Sequence, residues 1–137
     1  MKRVTPVILG AAALLVGLDI VGALTRSPLG FPYSRLGAVS LFIYLSVGLL
    51  ASLRGGLTVA VFAAAAVGFL DGTLGPLAAW MVGPGPVDQT FSESRVFAYG
   101  IAVITATAAV GGLMGALAGT WLERRRGLRT SSRVISR

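Results

Sequence analysis

Four long apolar stretches, parted by short polar interruptions, constrain this chain more than any other feature of its sequence. A helix that crosses about 30 Å of hydrocarbon at about 1.5 Å per residue needs about 20 mostly apolar residues. Stretches of that kind run from Pro6 to Leu24, Leu36 to Leu53, Leu57 to Val82 and Val96 to Leu122. Charge is scarce between their ends: 12% of the 137 residues are charged, 55% are hydrophobic, and the mean hydropathy is +0.82. A soluble domain carries about 25% charged residues, so a water-facing globule is a poor match. A membrane β-barrel is also a poor match, because the apolar runs do not alternate with polar residues in blocks of about ten. The expected fold is all-α, an integral membrane four-helix bundle. Residues 1–123 form its four-span domain and residues 124–137 a basic cytoplasmic tail.

Orientation follows from the basic residues, because cytoplasmic flanks retain Lys and Arg. With both termini inside, the cytoplasmic side holds Lys2, Arg3, Arg54, Arg124, Arg125, Arg126, Arg129, Arg133 and Arg137, leaving Arg26, Arg35 and Arg95 outside. The expected topology is therefore N-in/C-in, in an inner (plasma) membrane of bacterial type. A cleaved leader is the rival account of the first stretch, since Lys2 and Arg3 precede an apolar run and Val21-Gly22-Ala23 has the small residues of a cleavage site. The expectation here is an uncleaved span.

Local signals set the boundaries. Thr5-Pro6 supplies a cap and a first-turn proline. Arg54-Gly55-Gly56 reads as a tight turn that lays the second and third helices side by side and antiparallel. Pro76 is an expected kink in the third, and the breaker-rich segment from Gly83 to Ser94 an exposed loop, with Ser92 as the cap of the last helix. Phe31, Tyr33, Trp80, Phe91, Phe97 and Tyr99 fall near the outer interface and Trp121 near the inner one, as aromatic belts do.

The two halves resemble one another. Val16-Gly17-Leu18-Asp19 matches Val67-Gly68-Phe69-Leu70-Asp71 with one residue inserted, and Ser34-Arg35-Leu36-Gly37-Ala38 matches Ser94-Arg95-Val96-Phe97-Ala98. Each half is an in-out-in hairpin, so the two are candidate parallel repeats about an axis along the membrane normal.

Asp19 and Asp71 are the only acids inside the apolar stretches. A charged aspartate at a helix centre costs about 2.5 to 3.5 kcal/mol on insertion scales, so each needs a reason to be there. Counted from Pro6 and from Leu57, both sit about 20 Å from the cytoplasmic face, in the outer half of the membrane. Arg35 and Arg95 start the two descending helices on that same side. In one reading the acids hydrogen-bond a neighbouring helix or pair with an arginine and fix register in the bundle. In the other they form a cation or proton site, supported by Thr73, Tyr33 and Tyr99.

Small residues repeat every four positions at Ala64, Gly68 and Gly72 and at Gly111, Gly115 and Gly119, which aligns them on one helical face and lets backbones approach. The arginine-rich end suits anionic lipid headgroups, with Arg124, Arg125, Arg126 and Arg129 nearest the membrane. No aromatic residue interleaves those arginines, so nucleic acid is not an expected partner.

The absence of cysteine and histidine removes thiolate chemistry, disulfides and the commonest metal ligand, and no phosphate-binding loop or nucleophile accompanies the two acids. An enzyme is therefore not expected, and no cofactor is implied. The leading expectation is a structural or accessory subunit of a larger membrane assembly, bound to other membrane subunits or to itself. The alternative is a small oligomeric channel or transporter with an intramembrane aspartate cation or proton site.

Overall fold

The computed structural model describes residues 4–29, 34–82 and 94–134, which fall in helices apart from Val4 and the break at Gly56. The helices are α1 (Thr5–Leu29), α2 (Ser34–Val82) and α3 (Ser94–Val134). Within them, three segments are long and apolar enough to cross a membrane: Thr5–Thr25, Gly37–Ala78 and Arg95–Arg125, with mean hydropathies of 2.4, 1.8 and 2.0. The first turn of α1 closes on Val4, whose carbonyl accepts from the amides of Val7 and Ile8. Pro6 falls in that turn, where its missing N–H breaks no helical bond.

The sequence led to an expectation of two helices separated by a turn at Arg54-Gly55-Gly56. The 49-residue element α2 is two helical runs joined at Gly56, whose backbone is non-helical, with φ 80° and ψ −178°. Those angles lie in a region essentially restricted to glycine. One such residue reverses the chain. The Tyr44 hydroxyl donates to the Asp71 carboxylate across a separation of 27 residues, which a continuous helix would hold about 40 Å apart. Residues 34–55 and 57–82 are therefore two arms packed against each other. Pro76 lies inside the second arm, where it leaves the Gly72 carbonyl without its helical donor.

The other helices take their directions from these arms. Val4, Thr5 and Ile8 line one groove with Thr58, Val59 and Phe62, while Asp19 reaches Gly75, so α1 runs parallel to the second arm. Gly115 packs on Leu45 and Gly119 on Leu49 and Ser52, so α3 runs parallel to the first arm. Gly112 meets Ala64, Gly68 meets Ala108 and Gly72 meets Ile101, which makes α3 antiparallel to the second arm. Among the described residues α2 packs on both other helices, whereas the backbones of α1 and α3 stay apart.

Small residues dominate the interior. Ala11, Ala51, Ala60, Ala63, Ala64, Ala108 and Ala116 are buried, and only a few larger side chains, among them Leu15, Tyr44, Val47 and Val67, join them. Large apolar side chains point outward instead, including Phe42, Phe62, Phe69 and Met81. That arrangement inverts the pattern of a soluble domain and suits a surface solvated by lipid tails.

Helix α3 continues past Leu122 to Val134. The Gly83–Ser94 loop expected from the sequence, with its Ser92 cap, lies outside the described residues up to the first residue of α3.

Candidate intramembrane polar site

The site is built around one buried acid. Asp71 is 8% exposed on the second arm, and Tyr44, 3% exposed on the first, donates its hydroxyl hydrogen bond to Asp71 Oδ2. A buried carboxylate without a donor carries a large desolvation cost, which a hydroxyl partner offsets in part. Asp71 and Gly75 are four residues apart and so occupy the same face of the second arm.

Gly75 is where α1 enters the site. A methyl group there would overlap Asp19 Oδ2 and would stand 3.6 Å from Asp71 Oδ1. Both carboxylates are thus directed at the same strip of glycine backbone, and only a residue without Cβ leaves room for Asp19. Asp19 meets the second arm at Gly75, one helical turn from Asp71.

They border a cavity of about 220 Å³. Asp19 comes from α1, Gly37, Ser40 and Tyr44 from the first arm, Asp71 and Pro76 from the second, and Ile104 and Thr107 from α3. Every helical segment therefore contributes to its wall. Thr107 donates to the carbonyl of Val103 in its own helix, so its hydroxyl proton is already committed. No group of three or more His, Cys, Asp or Glu side chains able to hold a metal ion occurs among the described residues.

The remaining candidates are scattered. Thr73 donates to the carbonyls of Phe69 and Leu70, one turn back in its own helix. Tyr99 is 72% exposed, and Arg95 lies exposed in the first turn of α3. Arg35 belongs to the first turn of α2, but its side chain lies outside the described residues, as does Tyr33 altogether. Neither Thr73, Arg95 nor Tyr99 lines the cavity.

All six small residues picked out by their spacing are buried: Ala64, Gly68, Gly72, Gly111, Gly115 and Gly119. Gly111 packs on Tyr44 and Leu41 of the first arm, and Gly112, its neighbour, lies against Gly48 as well as Ala64. In α3 the Thr105 hydroxyl is buried with no hydrogen-bond partner among the described residues. At the far end, Arg124 and Arg125 are exposed, and the Arg125 guanidinium stacks 3.6 Å from the centroid of the Trp121 ring. Such a cation–π contact holds a basic group beside an aromatic anchor. The side chains of Arg126 and Arg129 lie outside the described residues.

Tyr44, Ser40 and Gly75 were not among the residues singled out from the sequence. Tyr44 had one usable signal: it is the tyrosine placed well inside an apolar stretch, where its hydroxyl needs a partner.

No family model matches the chain, and neither curated proteins nor solved structures give a match. The fold and the site define a helical protein with spans long and apolar enough to cross a membrane and a mostly apolar cavity bordered by two carboxylates, and the functional reading rests on their chemistry.

Proposed function

We propose that this chain is a four-span protein of a bacterial-type inner (plasma) membrane, N-in/C-in, that binds and relays a proton or small cation at Asp19 and Asp71. In this reading α2 supplies two of the four crossings. The segment Gly37–Ala78, at 42 residues, would measure about 63 Å as a straight helix, about twice the hydrocarbon thickness, and the reversal at Gly56 divides it into two lengths that fit. The parallel course of α1 and the second arm, and of the first arm and α3, supports two parallel hairpins. The excess of Lys and Arg on one side supports the orientation. Close approach at glycine then holds the crossings together, where hydrophobic burial supplies no drive.

The observation that carries the function is the cavity that receives two carboxylates, Asp19 from α1 and Asp71 from the second arm, both close to Gly75. Ionisable groups inside a membrane are costly, and they mark ion pathways and proton relays. Flux into liposomes containing the purified protein tests the reading. Wild type should move protons or a monovalent cation above the protein-free rate, and Asp19→Asn with Asp71→Asn should remove that flux in a protein that remains monodisperse. Unchanged flux in the double variant overturns it.

A second reading, an accessory subunit of a larger assembly, is favoured by a different feature. An apolar groove of about 430 Å³ lies between the start of α1 and the second arm, lined by Val4, Ile8, Val59 and Phe62 among others. It offers a seat for a helix of another subunit, and the exposed arginines at the end of α3 lie where anionic headgroups are available. Neither reading involves catalysis.

A further inference from the structure

We propose that the basic end of α3 is a docking arm for an acidic helical segment of another protein subunit, met in the water just beyond the inner headgroups. This inference rests on the accessory-subunit reading above and names the chemistry of the partner.

Charge is the first argument. From Glu123 to Val134 the chain carries five arginines, Arg124, Arg125, Arg126, Arg129 and Arg133, against one acid. Arg125, Arg129 and Arg133 recur every four residues, and the backbone that carries them is helical. They therefore fall on one side of the helix, rising about 6 Å per step. A facing helix with carboxylates at the same spacing pairs with them step by step, and a guanidinium fork takes a carboxylate through two parallel N–H bonds.

Reach is the second argument. The apolar segment Arg95–Arg125, 31 residues long, measures about 46 Å, close to the thickness of a bilayer with its headgroups, about 40 to 45 Å. The stacked pair of Trp121 and Arg125 thus stands at the inner headgroups. Among the described residues positive φ occurs at Gly56 alone, so α3 runs on past Arg125 without a break of that kind. Its backbone carries positions 129 and 133 about 6 and 12 Å further into the water, against a Debye length of about 8 Å.

The arm is also a poor fit to the other anionic surfaces. A helix that lies on a bilayer buries an apolar face, and after Glu123 this one offers only Leu128 and Val134. It has no aromatic residue on which bases would stack, which favours a protein over a single-stranded nucleic acid. An acidic segment, repelled by anionic headgroups, meets its countercharge at the distance where Arg129 and Arg133 stand.

The test places the full chain in lipid nanodiscs, of phosphatidylcholine alone or with phosphatidylglycerol added. The probe is a labelled helical peptide with glutamate at every fourth position, and fluorescence anisotropy reads its binding. The peptide should bind saturably in both lipids. Arg129→Glu with Arg133→Glu should weaken it about tenfold or more while leaving helix content and membrane insertion unchanged. Binding that survives the double variant overturns the proposal, and so does binding lost when phosphatidylglycerol is added, which puts the arm on the headgroups. Tighter binding of polyuridylate than of the peptide also overturns it, by making the arm a phosphate-binding surface. The native mass of the complex extracted from its own membrane in mild detergent separates this inference from the reading beneath it. If other subunits copurify but the peptide does not bind, the accessory reading stands and the docking arm is wrong. If the chain comes out alone and the peptide does not bind, both fall.

Discussion

At the scale of single residues, the chain spends its polar groups where two of its segments must meet at one level. Asp19 needs Gly75, because a side chain at 75 would occupy the space of its carboxylate. Overpacking of a well-filled site costs about 1 to 3 kcal/mol, and in a helix the same substitution gains up to about 1 kcal/mol from propensity. Gly37→Ala shares the gain without the clash, because nothing lies within 4 Å of its added Cβ. Gly75→Ala should therefore be about 1 to 3 kcal/mol less stable than Gly37→Ala in reversible unfolding from mixed micelles. Equal stabilities would mean that Asp19 does not occupy the space beside Gly75. Asp19 and Asp71 were legible in the sequence because a charge in an apolar stretch is conspicuous, and the structure brings both carboxylates to Gly75. Tyr44 was not, since an aromatic ring in such a stretch reads as packing until its partner is known. Gly75 was missed for another reason: its importance depends on where α1 lies, and no local spacing encodes that.

Among the elements, α2 has one residue that decides its shape. Gly56, with φ 80° and ψ −178°, is the sole non-helical position in the 49 residues of α2. Any residue with a Cβ is strained there, at a cost of about 1 to 3 kcal/mol. Gly56→Ala should lose about that much stability, whereas Gly55→Ala should lose less, because its added methyl meets only the Val59 side chain, 2.9 Å away at the nearest atom. Parallel unfolding of the two variants distinguishes them, and a larger loss at position 55 would put the reversal on the wrong glycine. The sequence made the reversal legible through the Arg54-Gly55-Gly56 run but could not say which glycine breaks the helix, because composition reports permissiveness and not angles. The end of α3 itself lies beyond its apolar stretch. Hydropathy falls after Leu122, yet backbone hydrogen bonding does not depend on hydropathy, and arginine is a good helix former, so the helix continues to Val134.

For the molecule as a whole, the same economy of side chains separates inside from outside. Its buried residues are mostly alanine and glycine, its large apolar side chains face outward, and α1 is attached through α2 alone among the described residues. Cohesion must then come from backbone proximity and dispersion, because lipid tails compete equally for any exposed leucine. The seam between α3 and the first arm is the sharpest case. A Cβ at Gly115 would overlap the Leu45 carbonyl, and one at Gly119 would overlap the Ser52 hydroxyl. A bulky residue at 115 has no rotamer that avoids this, since the conflict begins at Cβ, and relief requires the helices to part. Parting them also disturbs the cavity, because Tyr44 packs on Gly111 of α3 while holding Asp71. Gly115→Leu should therefore lower thermal stability by about 1 to 3 kcal/mol and weaken flux through the site, although position 115 does not line it. Gly17→Leu adds a similar volume where nothing lies within 4 Å of the new Cβ, and it should change neither. If Gly115→Leu leaves both stability and flux at the Gly17→Leu level, close approach of α3 to the first arm is not what holds the Tyr44 and Asp71 arms in place.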